Sequence, residues 1–180
     1  MIVLVGESGS GKSTIATTLS RMYGYENVVT YTTRDKRKTE RDGIDYHFVS
    51  EEKFNEIKEF LCLVAQYRGW SYGANIQDFG DNKVIVVTPS GLRELKRLGV
   101  NITSFYIKIS RRDRLIKLLQ RGDDIEEAYR RSLSDIGQFD GIEDEVDFVI
   151  DNDHYSSVPD MIAQIIKEDL DEKEYIEKGE

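Results

Sequence analysis

The residues best suited to chemistry come early in the chain, in the run GESGSGKS at residues 6–13, which matches the pattern GxxxxGK[ST]. Glycines here let backbone N–H groups turn inward around a phosphate, and the start of the following helix adds about half a positive charge. We expect Lys12 to reach the β- and γ-phosphates of a nucleotide and the Ser13 hydroxyl to ligate Mg²⁺. The predicted donor-nucleotide residues of this segment are Gly6, Glu7, Ser8, Gly9, Ser10, Gly11, Lys12, Ser13 and Thr14.

A second cluster of basic residues follows about twenty residues later. Its members are Arg34, Lys36, Arg37, Lys38 and Arg41. A nucleic-acid patch or a solvated face would explain the charge, but neither explains the Asp42-Gly43 turn and the aromatic run at residues 46–48 that come next. Guanidinium groups bind phosphate through two parallel hydrogen bonds, and a tyrosine hydroxyl adds a donor. The pattern therefore favours a second phosphate site.

At these residues the chain resembles the guanylate kinase family. The matching residues are Thr32-Thr33-Arg34, Arg37, Glu40, Asp42-Gly43, the run DYHF at 45–48, Tyr72-Gly73, Arg121, Arg131 and the run IDND at 150–153. The resemblance covers nearly the whole chain. It implies a three-layer α/β P-loop fold with a parallel sheet, made of a core (1–30, 80–117 and 140–180), a nucleoside-monophosphate-binding insert (31–79) and a lid (118–139).

The resemblance also implies an activity, the transfer of the ATP γ-phosphoryl group to GMP or dGMP with Mg²⁺, and a set of roles. The acceptor phosphate would be held by Thr30, Arg34, Arg37, Tyr46 and Tyr72. The catalytic residues would be Lys12, Arg34, Arg121 and Arg131, with Arg130 as the alternative to Arg131. Asn152 would lie against the adenine of ATP, unless it is only a turn residue, and Glu40 would orient an arginine.

The base-reading half of the family pattern is missing. The family places acidic or hydroxyl side chains at the positions occupied here by Leu63, Ala74, Val86 and Thr88. A carboxylate accepts two N–H groups of guanine, so its loss weakens the assignment of the base. Gln66, Asn75 and Thr88 are the candidate replacements, since their side chains carry hydrogen-bonding groups.

Two other functions stay open at this point. The first is a kinase of the same fold that acts on another phosphorylated acceptor, either a different nucleotide or a sugar phosphate. The second is a non-catalytic binding module, which the intact phosphate motifs argue against. Phosphoryl transfer to a phosphate oxygen needs no general base, and accordingly His47 and His154 are predicted to be structural.

The elements that must position these residues alternate between short β-branched runs and helical patterns. The expected core strands are Ile2–Val5, 83–88, 104–109 and 147–150, with a weaker one at 27–31. The expected helices are Lys12–Tyr23, 91–98, 112–121 and 158–170. Residues 32–80 predict a small mixed sheet, 121–137 a mobile lid and 171–180 a frayed tail. Buried strands alternating with helices predict a parallel sheet covered on both faces.

Charge and composition limit the partners. The 180 residues carry a net charge of −9, divided into −12 over residues 140–180 and +3 over residues 1–139. An acidic chain is a poor binder of nucleic acid polymers, and no apolar run approaches the roughly 20 residues that span a membrane. The single cysteine, Cys62, is predicted to be a buried structural thiol and fits a cytoplasmic protein. The expected partners are ATP and a nucleoside monophosphate, and the expected assembly is a monomer or homodimer.

Overall fold

A five-stranded parallel sheet forms the centre of the fold. The computed structural model describes residues 1–36, 40–67, 69–152 and 159–178. The sheet strands are β1 (Ile2–Val5), β2 (Glu26–Asn27), β7 (Lys83–Val87), β8 (Thr103–Lys108) and β9 (Phe148–Asp151). They lie in the order β2-β7-β1-β8-β9, so the first strand of the chain is central and is flanked by β7 and β8. The predicted parallel sheet is confirmed.

Helices cover both faces of this sheet. The described helices are α1 (Lys12–Tyr23), α2 (Glu51–Ile57), α3 (Pro89–Arg97), α4 (Arg111–Gln120), α5 (Ile125–Ser134) and α6 (Pro159–Lys178). On one face α1 and α6 pack Ile15 and Ile162 against Ile2 and Leu4 of the central strand. On the other face α3 packs against Val3. The alternation of side chains along a strand explains the two separate apolar clusters.

A second, smaller sheet lies between β2 and β7 in the sequence. Its strands are β3 (Tyr31–Thr32), β4 (His47–Phe48), β5 (Leu61–Tyr67) and β6 (Trp70–Asn75), in the order β4-β3-β6-β5. β3 pairs in parallel with β4 and antiparallel with β6, which also pairs antiparallel with β5. The predicted mixed sheet is therefore confirmed. The fully buried ring of Phe54 on α2 lies under it, close to Gly73.

Two predictions about the elements are wrong. The single strand expected at 27–31 is two strands in different sheets, because the chain leaves the core sheet after Asn27 and enters the second sheet at Tyr31. The tail expected to fray from 171 instead continues α6 to Lys178. Tertiary contacts hold this extension, since Lys173 Nζ lies 3.2 Å from Asp147 Oδ1.

The segment expected to form the lid contains a helix. α5 begins after Asp124, whose carboxylate accepts hydrogen bonds from the backbone N–H groups of Glu126 and Glu127. An aspartate at this position satisfies donors that the first helical turn leaves without partners. α5 packs on α4, and Arg111 Nε donates to Ser132 Oγ at 2.9 Å. Among the described residues no helix is both long and apolar enough to cross a bilayer.

Candidate active site

A single cavity of about 1010 Å³ opens between the end of the parallel sheet, the second sheet and the α4–α5 pair. Most of the predicted site residues line it. These are Gly6, Ser8, Gly9, Gly11, Lys12, Ser13, Thr14, Thr30, Arg34, Tyr46, Tyr72, Arg121, Arg131 and Asn152. The two phosphate sites predicted from separate sequence motifs therefore face the same space.

The predicted donor site is the loop of residues 6–13, which joins β1 to α1. Gly9 has a φ of +85°, and a Cβ built there would lie 2.7 Å from the Arg114 carbonyl oxygen. No side chain fits in that space, so a glycine is required for the loop to approach α4 this closely. The loop backbone is therefore fixed in place by its packing against α4.

The side chain of Lys12 folds back over the loop that precedes it. Its Nζ donates to the Glu7 carbonyl at 2.8 Å and contacts Ser10 Oγ at 3.2 Å. Burial lowers the pKa of Lys12 to about 8, against the opposing pull of the Asp135 and Glu7 carboxylates. The ammonium group thus stands where a bound phosphate needs a cation, and it loses its proton more readily than an exposed lysine.

The donor set for a metal ion is small. Ser13 is exposed on the first turn of α1 and lines the cavity. Within the described part of the chain, no three His, Cys, Asp or Glu residues are grouped so that they could hold a metal ion. Mg²⁺ commonly keeps several waters and binds through one or two protein groups plus substrate phosphates, so one hydroxyl beside a phosphate loop fits this ion.

Three of the residues predicted to bind the donor nucleotide also make contacts that support the loop. Glu7 and Ser10 are not among the residues that line the cavity, and their contact with the nucleotide stays a prediction. Glu7 Oε2 accepts a hydrogen bond from Tyr106 at 3.0 Å. Asn152 lines the cavity, but its Nδ2 donates to the Ser10 carbonyl at 2.9 Å and anchors the loop. Its contact with adenine stays a prediction.

An ionic network behind the loop was missed from the sequence. The backbone N–H of Ser8 donates to Asp135 Oδ2 at 2.8 Å, although the two residues are 127 positions apart. The same carboxylate lies 3.3 Å from Arg114 Nη1, and both side chains are almost fully buried. Arg114 lies seven residues before Arg121, which is two helical turns, so a search for arginines on the same face of α4 would have found it.

Four residues predicted to hold the acceptor phosphate, Thr30, Arg34, Tyr46 and Tyr72, line the cavity. Arg34 is only 8% exposed, and its Nη2 donates to both carboxylate oxygens of Glu40, at 2.8 and 3.0 Å. The prediction that Glu40 orients an arginine is confirmed. Burial opposes the charge on Arg34, but Glu40 outweighs it and raises the pKa of the guanidinium.

Aromatic rings complete the acceptor site. The guanidinium carbon of Arg34 lies 5.3 Å from the centre of the Tyr46 ring and 5.6 Å from that of Phe48, so both rings add cation–π attraction. Tyr46 in turn meets Tyr72 edge to face at 6.2 Å. Arg37 lies outside the described residues, so its contact with the acceptor phosphate stays a prediction.

The lid arginines, Arg121 and Arg131, converge on one carboxylate. Arg121 Nε donates to Asp123 Oδ1 at 3.0 Å, and Arg131 Nη1 lies 3.4 Å from Asp123 Oδ2. Arg130 also lines the cavity, but its side chain is 49% exposed against 14% for Arg131. The geometry therefore favours Arg131 over Arg130 as the second lid arginine.

The candidate base-reading residues separate into two groups. Leu63, Val86 and Thr88 line the cavity, whereas Ala74 is fully buried beside it. Gln66 and Asn75 do not line it, so the prediction that they replace the missing base readers is wrong. The side chain of Asn75 accepts a hydrogen bond from the backbone N–H of Gln77.

The cysteine and the described histidine have structural surroundings. Cys62 is half-buried and its thiol donates to the Ala74 carbonyl at 3.2 Å. Burial raises the pKa of this thiol, which keeps it protonated. His47 packs on the Tyr31 ring with the ring centres 4.6 Å apart. His154 lies outside the described residues.

Comparison with known proteins agrees with this geometry. Residues 1–169 match the family model described as "Guanylate kinase". A guanylate kinase of Chlorobaculum tepidum is 32% identical, with 94% of this chain and 93% of that protein covered. A guanylate kinase of Aster yellows witches'-broom phytoplasma is 29% identical, with 93% and 85% covered.

The fold is also that of a solved structure in this group. The crystal structure of guanylate kinase from Anaplasma phagocytophilum superimposes with a TM-score of 0.63 at 22% identity, covering 94% of this chain and 85% of that chain. The family match over nearly the whole chain and the shared fold lead to one conclusion: this chain belongs to the guanylate kinase family.

Proposed function

We propose that this protein is a nucleoside monophosphate kinase that transfers the γ-phosphoryl group of ATP to GMP or dGMP. The observation that carries the proposal is that two different phosphate sites, the loop with Lys12 and the Arg34–Glu40 pair with its tyrosines, face one cavity. One site suits the polyphosphate of a donor and the other suits a single phosphate group. The family and its curated relatives are guanylate kinases, which supports GMP as the acceptor.

The reaction is an in-line displacement. An oxygen of the acceptor phosphate forms a bond to the γ-phosphorus of ATP, and the bond from that phosphorus to the β–γ bridging oxygen breaks. ADP leaves with the electron pair of the broken bond, and the acceptor becomes a nucleoside diphosphate. The attacking oxygen is already anionic near neutral pH, so no side chain has to remove a proton.

The protein contributes position and positive charge. Lys12 and the loop N–H groups hold the donor polyphosphate. Arg34, fixed by Glu40, holds the acceptor phosphate and offsets its charge. Arg121 and Arg131 exchange Asp123 for the transferring phosphoryl group and neutralise the charge that spreads over its oxygens.

Mg²⁺ bound with ATP would be held by the Ser13 hydroxyl and would neutralise charge on the β- and γ-phosphates.

The protein is proposed to have three parts. The core consists of residues 1–30, 80–117 and 140–180, the insert of residues 31–79 and the lid of residues 118–139. The protein is proposed to work in the cytoplasm, because its one thiol, Cys62, can form no internal disulfide.

The test is a coupled assay of ADP release with MgATP and a panel of ribo- and deoxynucleoside monophosphates. We expect ADP release that depends on GMP or dGMP, above a low background of ATP hydrolysis without acceptor. Arg34→Ala is compared with Arg41→Ala, which removes an exposed arginine of the same basic cluster that does not line the cavity. Turnover only with acceptors other than GMP and dGMP, or no turnover by folded protein, would overturn the proposal.

A further inference from the structure

One side of the cavity is apolar where it passes from the acceptor site toward the parallel sheet. The apolar wall, as we call it, consists of Leu63, Ala65, Ile85, Val86 and Val87. These residues come from β5 and β7, and the described residues of those two strands that line the cavity include no polar side chain. The wall lies beside the group that holds the acceptor phosphate, since Ala65 is paired directly with Tyr72.

The sheet is distorted so that leucine faces this space. The pairing of β5 with β6 shifts between Cys62 and Ala65, and Leu63 within the shift has a φ of +54°. A branched residue rarely adopts this left-handed conformation, so the surrounding packing must impose it. Leu63 packs against the buried cluster that contains Ala74, and the apolar core of the protein therefore continues into the cavity.

Two of the polar side chains that line the cavity, those of Thr88 and Asp123, already have partners within the protein. Thr88 lines the cavity, but its Oγ1 caps α3 by accepting from Gly91 N at 3.2 Å and pairs with Ser90 Oγ at 2.9 Å. Asp35 also lines the cavity, and its backbone carbonyl accepts a hydrogen bond from Arg34 Nη1 at 2.7 Å. Asp123 is engaged by the lid arginines.

We propose that the apolar wall is the base subsite of the acceptor and that it accepts purine nucleoside monophosphates as a class, without reading the polar edge of the base. This inference rests on the proposed function. A site that hydrogen-bonds a substrate group rejects analogues lacking it by about 10⁴–10⁵-fold, whereas an apolar pocket separates near-isosteres by about 10–200-fold at most. A two-ring base buries more apolar surface than a one-ring base, so purines are favoured over pyrimidines.

Trp70 supplies the aromatic surface for ring contact. It is half-buried, lines the cavity and lies two residues before Tyr72 on β6, so the two side chains share a face of the strand. Recognition of the acceptor then has two parts. Arg34 binds the phosphate specifically, whereas Trp70 and Leu63 contact the base without distinguishing one purine from another.

The test measures kcat/KM for GMP, IMP and AMP at saturating MgATP. In the unmodified protein we expect the three values to agree within about tenfold. Trp70→Ala should lower all three alike, by about tenfold, because ring contacts do not depend on the base edge. Phe60→Ala removes an exposed ring outside the cavity and should leave all three unchanged.

A second variant should gain selectivity for GMP over AMP. Thr88→Asp keeps a residue that can cap α3 and adds a carboxylate to the cavity, which accepts the N1–H and amino groups of guanine but repels the N1 lone pair of adenine. The GMP-to-AMP ratio should rise about 10- to 100-fold. Ser90→Asp adds the same charge two residues away outside the cavity and should not change the ratio.

The outcomes separate the inference from the proposed function. A preference of the unmodified protein for GMP over either IMP or AMP by more than about 100-fold would overturn the inference and leave the proposed function standing. An unchanged ratio in folded Thr88→Asp would overturn it as well. No turnover with any of the three by protein that still binds ATP would overturn the proposed function, and the inference with it.

Discussion

The proposed donor and acceptor sites offer a phosphate different kinds of protein group. The donor site presents backbone N–H groups, and residues far away in sequence hold its loop: Asp135 binds Ser8 N–H and Asn152 binds the Ser10 carbonyl. The acceptor site presents a side chain, Arg34, and a partner only six positions away, Glu40, holds it. The first site depends on the whole fold, whereas the second is built largely within one short segment.

The difference extends to charge. The cation of the donor site has its pKa lowered to about 8 by burial, so it is close to losing its proton. The cation of the acceptor site has its pKa raised, with Glu40 outweighing burial, and it stays charged at every pH the protein tolerates. Because the two cations differ in this way, mutation and pH can affect one site at a time.

The largest expected effect comes from removing the donor cation. Lys12→Ala should lower kcat by at least about 10³-fold with every acceptor, because Lys12 Nζ lies against the loop carbonyl of Glu7 and supplies positive charge where the donor phosphates are proposed to bind. Binding of GMP, followed by calorimetry, should be unchanged. Lys53→Ala, an exposed lysine paired with Glu56, is the control. Turnover near the normal rate in Lys12→Ala would show that Lys12 is not the cation on which the donor site depends.

The second effect isolates the acceptor site. Arg34→Ala should raise the KM for GMP about 100-fold, since a charge-assisted hydrogen bond to phosphate contributes about 1.5–3 kcal/mol. The dissociation constant of ATP should not change. Glu40→Gln should give a smaller increase in the same KM, because it leaves the guanidinium in place but less firmly held. If ATP binding weakens and GMP binding does not, the two sites have been assigned the wrong way round.

The pH dependence should separate the sites without mutation. Free enzyme with Lys12 deprotonated lacks the donor cation, so the apparent affinity for ATP should fall as pH rises through about 8 and be about tenfold lower at pH 9 than at pH 7. The affinity for GMP should stay constant over this range because Arg34 remains charged. A parallel fall for both nucleotides would show that the effect does not arise at Lys12.

The smallest expected effect concerns the lid. Asp123 competes with phosphate for Arg121 and Arg131, so Asp123→Asn should lower the KM for MgATP about threefold, which corresponds to the modest free energy of a partly exposed ion pair. Asp140→Asn changes an exposed aspartate outside the cavity and is the matched control. A higher KM in Asp123→Asn would mean that Asp123 positions the arginines for the substrate.

The sequence predicted the parts of the molecule that local patterns encode. The phosphate loop and the core strands Ile2–Val5 and 83–88 follow from short-range spacing. The family resemblance implied that Glu40 orients an arginine, and the structure shows that this arginine is Arg34. The strand Glu26–Asn27 has only two residues, which is too short to leave a pattern of alternating side chains in the sequence. The chain passes to the second sheet directly after this strand, and the sequence did not reveal that crossing.

Long-range contacts account for what the sequence did not show. The bond from Ser8 to Asp135 and the extension of α6 beyond 170, held by Lys173 and Asp147, join residues that no spacing rule connects. The same holds for the base subsite. Gln66 and Asn75 were reasonable candidates by residue type, and only the pairing of β5 with β6 shows that they do not line the cavity.

The most direct test of the central claim, that the protein reads the phosphates and not the base edge, is a competition at initial rate. The protein is given MgATP labelled with ¹⁸O in the γ-phosphoryl group together with equal concentrations of GMP, IMP and AMP, and mass spectrometry identifies which diphosphates carry the label. We predict labelled β-phosphoryl groups in all three products, in amounts that agree within about tenfold. Label in a single diphosphate, or only in inorganic phosphate, would contradict the account.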